Sequence, residues 1–215
     1  MTKLMMLSAG AAVAAVLVAG CSNDQADRTA DLEMTNGTST SAAAGAPVSA
    51  EAHNDADVMF AQHMIPHHQQ AVEMSDVLLG KQGIDPRVTE LATQIKGAQA
   101  PEIEQMQGWL KQWGNPPMPP MNHGDMNHGD MGHGNMPAMQ GMVSETDMTA
   151  LRNAQGAEAA KLYLTHMIAH HEGAITMAQD EIKDGKYSAA VEMAHTIVKT
   201  QQQEIDTMRQ ILSSL

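Results

Sequence analysis

Cysteine is almost missing from this chain: Cys21 is the only one. No intramolecular disulfide can form, and metal sites built from several thiolates are excluded. Aromatic residues are nearly as scarce, with two Trp, two Tyr and one Phe in 215 residues. A core must therefore come from Ala, Leu, Ile, Val and Met. Positive charge is short as well, 12 Lys and Arg against 25 Asp and Glu, for a net charge of −13. That balance argues against nucleic acid as a partner and suits the gathering of cations. No nucleophilic triad, phosphate loop or nucleotide-binding motif occurs, so no catalytic residue can be named and the expectation is a protein that is not an enzyme. What the chain does have is 20 Met and 11 His. Both are soft or borderline metal ligands, and Met also fills cores adaptably.

The one long apolar run, Leu4 to Val18, is too short and too quickly followed by polar residues to span a membrane. With Lys3 before it and Val18-Ala19-Gly20 after it, residues 1–20 have the layout of an export signal. Cys21 directly after the small residues resembles the lipobox of bacterial lipoproteins, which implies that Cys21 is lipidated. The expectation is an exported protein held by lipid at the bacterial cell envelope, on its periplasmic or extracellular face. The anchor is then its only membrane contact. Residues 21–54, rich in Ser, Thr, Ala, Gly and Asp, read as a flexible tether. As a random coil it spans on the order of 30 Å.

Residues 55–215 read as one all-α domain. A first helix starts at Asp55, with Asp55 or Asp57 as its cap, and carries Met64, Ile65, Ala71, Met74 and Leu78 at helical spacing. Gly80 to Pro86 breaks the pattern, and a second helix runs from Arg87 to Trp113. A third is predicted over Glu145 to Lys183, and a fourth from Tyr187 to Leu212 after an Asp184-Gly185 turn. Pro66 and Pro101 fall inside helices, where each frees one carbonyl and predicts a kink.

An internal repeat organises these helices. His63-Met64-Ile65-Pro66-His67-His68 through Met74 recurs as His166-Met167-Ile168-Ala169-His170-His171 through Met177. In the second helices, Gln99, Glu102, Ile103 and Met106 recur as Gln201, Glu204, Ile205 and Met208. The chain thus holds hairpin 55–113, a loop 114–143, and hairpin 144–215. One hairpin cannot bury its apolar stripe alone; two together predict a four-helix bundle, joined by a long crossover of the ferritin-like kind.

The repeat also places metal-ligating groups. On a helix His63 and His67 are four apart, as are Met64 and His68, so each pair can converge on one ion. Met74 shares the His67 face two turns on, and His166, Met167, His170, His171 and Met177 repeat the set. Imidazole with thioether suits Cu(I), while imidazole alone suits Cu(II), zinc or nickel. Glu102 and Glu204 are placed to accept the second imidazole N–H and orient the rings.

The loop carries a second set. Met121, His123, Met126, His128, Met131, His133 and Met136 repeat Met-x-His-Gly-x, and the Gly and Pro around them rule out regular structure. A mobile tract of this kind can fold around an ion without a preformed cage, at some entropic cost. It resembles the Met/His-rich segments of exported copper- and silver-binding proteins. Asp125 and Asp130 leave zinc or nickel open.

Asp57, Phe60, Met64-Ile65-Pro66-His67-His68, Ala71 and Met74, followed by Gln99, Glu102-Ile103, Met106 and Trp109-Leu110, resemble the DUF305 domain family over about residues 55–113 and 145–215. The resemblance implies a ferritin-like four-helix bundle, usually exported, with some members binding copper in connection with copper resistance. The second copy departs from the pattern, with Ala169 for the proline and Ala160 for Asp57.

The expected function is sequestration or hand-on of Cu(I), with Ag(I), Cu(II) or zinc as further candidates and a delivery partner that the sequence does not identify. A di-iron or hemerythrin-like redox or oxygen-binding protein is the rival, resting on Glu192-Met193-Ala194-His195, whose repeat partner is Glu90 with Thr93. A structural module of the envelope is the third reading.

Overall fold

The computed structural model describes residues 52–116 and 140–215, and among them every element is an α-helix. They are α1 (Asp55–Leu79), α2 (Pro86–Trp113), α3 (Glu145–Asn153), α4 (Gly156–Asp184) and α5 (Ser188–Leu212). The export signal, Cys21, most of the tether, and Met121 through Met136 lie outside the described residues.

The helix ends follow from local chemistry. Asn54, one residue before the expected caps, accepts from Asp57 N at 3.1 Å while Asp57 accepts from Asn54 N at 2.6 Å. This reciprocal capping box satisfies two orphan donors and makes Asp57 the third helical residue rather than the cap. At α2, Asp85 accepts from Arg87 N at 2.9 Å, and Pro86 sits in the first turn, where its missing N–H is no loss. Gly114 ends α2 in the left-handed region, φ 74°, which a side chain would oppose.

One predicted helix is two. Ala154 and Gln155 adopt extended backbone and Gly156 has φ 52°, so the pattern read as a single helix splits into α3 and α4. Apolar periodicity passes through this break; the glycine supplies the turn. Lys81 Nζ donates to the carbonyls of Arg152 and Ala154, both at 2.8 Å, and so satisfies the end of α3. Pro66 and Pro101 end nothing, since α1 and α2 continue through them.

α1 packs along α2, α4 packs along α5, and the two hairpins meet chiefly through α1 and α4, with α3 laid against both. The buried apolar residues form two clusters. One joins Ala71, Met74 and Leu78 of α1 to Tyr163, Leu164 and Met167 of α4. The other joins Phe60, Met64 and Ile65 of α1 to Ala174, Met177 and Ala178 of α4. Between them in both helices come His67, His68, His170 and His171, all fully buried. A layer of imidazoles therefore divides the core in two.

The repeat makes each α1–α4 position occur twice with different chemistry. Tyr163 and Ser75 meet through their hydroxyls at 3.0 Å, and Ser75 in turn donates to Ala71 O at 2.8 Å. Their counterparts by repeat are Phe60 and Ala178, both apolar. Asp57 and Glu181 are buried neighbours, with 0% and 1% exposure, where the other half has Ala160 and Leu78. Burial alone would raise the Asp57 pKa, yet donation from the Tyr187, Asn54 and Lys186 backbone N–H groups holds it below the ordinary value. Glu181 lacks those donors. Burial, with the Asp57 carboxylate beside it, pushes its carboxyl up to about 9.

Candidate metal centre

Four imidazoles meet where α1 crosses α4. The rings of His67 and His170 have centroids 3.7 Å apart, tilted by 37°. His170 and His171 rings are 6.4 Å apart. His68 Nε2 lies 2.8 Å from Glu102 Oε2 on α2, and His171 Nε2 lies 2.7 Å from Glu204 Oε2 on α5. The two bonds are counterparts by repeat, each tying a histidine to the partner helix of its own hairpin. His67 Nε2 lies 3.1 Å from Gln140 O.

These contacts settle the tautomers. Carboxylate and carbonyl oxygens only accept, so Nε2 of His67, His68 and His171 carries the proton and donates. In a neutral ring, Nδ1 is then left as a bare lone pair. All three Nδ1 atoms are buried without a partner, as are both ring nitrogens of His170. An unsatisfied buried polar atom costs about 1–3 kcal/mol. Packing alone gives no return for that cost.

Two of the rings, His67 and His170, are also kept neutral. Burial, reinforced by His68 close by, drives the His67 pKa down to about 3. Burial and the neighbouring His67, His171 and His68 put His170 well below the usual histidine range. Neutral imidazole is the ligating form, so neither group needs to lose a proton on binding.

Among the described residues no three His, Cys, Asp or Glu side chains are grouped to hold a metal ion by themselves. The donors that flank the layer are thioethers. Met64 and Met167, fully buried, stand one turn before His68 and His171. Such a set, pairs of imidazoles with sulfur, fits ions content with two or three soft ligands better than the closed tetrahedral shell of structural zinc.

Other expected ligands fall elsewhere. Met74 and Met177 lie in the same two apolar clusters as Met64 and Met167, but seven residues beyond His67 and His170, about 10 Å along the helix axis. His63 does not join His67: it is half-buried and opens on a separate cavity between α1 and α4. His166 is half-buried too. The di-iron reading fares worst, because Glu192 and His195 are both exposed on α5 and present no carboxylate-histidine pair to the core.

Sequence reasoning missed how the connector returns. Gln70 grips Val143 with two bonds, Nε2 to Val143 O and Val143 N to Oε1, both 2.8 Å. Its counterpart by repeat is Gly173, where a Cβ would collide with the Gln140 carbonyl. Gly141, at φ 79°, lies against Ala169 O and the His170 and Gly173 backbone. Residues 140–143 are thus pressed onto the imidazole layer, and the Gln70-for-Gly173 difference within the repeat is the signal that pointed there. Gln99 and Gln201, buried at matching positions one turn before Glu102 and Glu204, also carry unpartnered amide atoms.

These features define an all-helical protein whose two related hairpins enclose a buried, unsatisfied imidazole centre. Residues 57–212 match the family described as Domain of unknown function (DUF305), and the chain belongs to that family. A DUF305 protein from Streptomyces coelicolor is similar in structure, with 32% identity, a TM-score of 0.63, and 74% of this chain and 91% of that one covered. A DUF305 fragment from Deinococcus radiodurans has 31% identity and a TM-score of 0.64, covering 75% and 98%. CopM in its Cu(I)-bound form has 27% identity and a TM-score of 0.57, covering 74% and 96%; CopM structures in Cu(II)-bound and Ag-bound forms are also similar. No curated protein matches the chain.

Proposed function

We propose that this protein is a non-enzymatic binder of soft monovalent ions, Cu(I) above all and Ag(I) by the same chemistry. Its role is to sequester copper or hand it on outside the cytoplasm. One observation carries the reading: three imidazole Nδ1 atoms, with His170 beside them, are buried without a side-chain partner. His67, His68, His170 and His171 are the proposed ligands, with Met64 and Met167 supplying sulfur and Glu102 and Glu204 orienting the rings. The relationship to CopM, known in Cu(I)-, Cu(II)- and Ag-bound forms, supports the same class of ion. Cu(II) and zinc remain weaker candidates, because the sulfur donors are soft.

The described hairpins are compatible with a ferritin-like four-helix bundle to which α3 is added. Export through residues 1–20 and lipid attachment at Cys21 belong to the same proposal, and the Streptomyces coelicolor relative is described as a candidate secreted protein. No helix among the described residues is long and apolar enough to cross a membrane. Met121, His123, Met126, His128, Met131, His133 and Met136 form a second proposed ligand set, whose downstream chain, Gln140 to Val143, lies on the imidazole layer.

The test is the double substitution His67→Leu with His170→Leu. Competition with a Cu(I) chelator should show loss of the tight site, while the melting temperature of the metal-free protein holds or rises, since buried unsatisfied nitrogens are replaced by hydrocarbon. Unchanged Cu(I) affinity together with a collapsed melting temperature would mean that the histidines serve the fold alone.

A further inference from the structure

A cavity of about 400 Å³ opens between α1 and α4, away from the imidazole layer, and is lined by Met59, Phe60, His63, Met177, Asp180 and Glu181 among others. Met59 and His63 are four apart on α1 and share one face. Met177 comes from α4. Met59 is 52% exposed, an unusual setting for a large apolar side chain when most methionines among the described residues are buried. Single exposed apolar residues are ordinary, so exposure alone proves nothing.

The repeat provides an internal control. The positions corresponding to Met59, Asp180 and Glu181 in the other half are Leu162, Val77 and Leu78. Leu78 is fully buried in the apolar cluster, with Val77 and Leu162 packed against it. The same helical framework is therefore satisfied by hydrocarbon on one side and carries thioether and carboxyl groups on the other. A second observation is independent of the sulfur. Glu181 lines the cavity at 1% exposure and shares a side-chain hydrogen bond with Asp57, where the other half has Leu78 and Ala160.

We infer that Met59, His63 and Met177 form a second, solvent-facing site for Cu(I) or Ag(I), separate from the buried histidines. Two thioethers and one imidazole are a soft donor set, suited to a d¹⁰ monovalent ion. Asp180 beside it favours a cation at the mouth of the cavity, while Glu181, its carboxyl pushed up to about 9, adds polarity rather than charge. The inference rests on the soft-ion reading above and adds a place where an ion is exchanged with solvent. The buried centre, closed over by residues 140–143, is poorly placed for that exchange.

The experiment uses the full chain with ¹³C-labelled methionine methyls, titrated with Ag(I) and, in a parallel arm, with Zn(II). Ag(I) should move the Met59 and Met177 methyl signals together with the His63 ring signals. In the Met59→Leu, Met177→Leu variant the His63 shift should be lost, while the fold is kept because Met-to-Leu exchange conserves volume. In the His67→Leu, His170→Leu protein the Met59 and Met177 shifts should persist, which separates this site from the buried one. Methyl signals that stay still in the wild type while the buried histidines respond would overturn this inference and leave the proposed function standing. No response at either place would remove both. A Zn(II) response at His63 with no Ag(I) response at the methyls would overturn the soft-ion assignment.

Discussion

His68 donates from Nε2 to Glu102 at 2.8 Å, and that one bond decides which of its ring nitrogens is free inside the protein. The same relationship holds between His171 and Glu204 at 2.7 Å. Both carboxylates hold a ring from the partner helix and direct Nδ1 inward. Replacing either Glu102 or Glu204 by Gln keeps the volume, but weakens orientation and lowers the basicity of the ring. Cu(I) affinity should fall by roughly 10–100-fold for each. Chelator competition on the single and double variants measures it; affinity unchanged in the double variant would show that the carboxylates do not tune the centre.

Acid should destabilise the metal-free protein through the same layer. His67 titrates at about 3 in the folded chain and His170 also far below the ordinary 6.5. The unfolded chain therefore binds more protons between those values. The stability that these neutral rings provide is fully present above pH 6.5 and is lost as pH falls toward 3. The slope approaches about 1.4 kcal/mol per pH unit for each group. Urea melts at pH 7, 6, 5 and 4 should show the decline, and the His67→Leu, His170→Leu protein should be flatter. Parallel profiles for the two proteins would refute it.

Gly173→Ala tests the covering segment. The new Cβ collides with the Gln140 carbonyl, so residues 140–141 must lift and His67 Nε2 loses its acceptor. Proteolysis should become faster in the segment before Val143, while Gln70 still holds Val143 itself. Dissociation of Cu(I) should quicken as well. An unchanged cleavage pattern would mean that the segment does not lie where it is described.

Much of this was legible in the residues. The duplicated His-Met-Ile-x-His-His string lies on both sides of the imidazole layer, and Glu102 and Glu204, expected near the rings, bond His68 and His171. Helical periodicity found α1, α2 and α5 to within a residue or two, because their caps and glycines are local. It failed at Ala154 to Gly156, where the apolar stripe runs through a backbone break that one glycine permits. It also could not separate His63 from His67. Spacing of four puts two side chains on one face, but burial is decided by α4 across the way. The return of the connector went unread because its one signal, Gln70 standing where the repeat has Gly173, is a mismatch between the copies rather than a match.

The unlike pairs along α1 and α4 have a consequence for assembly. If two first hairpins associated with each other, Asp57 would face Leu78. If two second hairpins did so, Glu181 would face Ala160, and the Tyr163 hydroxyl would face Ala178 with no acceptor. Each like-with-like union strands a polar group in hydrocarbon, at about 1–3 kcal/mol apiece. Only the mixed union matches hydroxyl with hydroxyl and carboxyl with carboxyl. Divergence of the two copies thus acts as a recognition code, in which a first hairpin is matched only by a second.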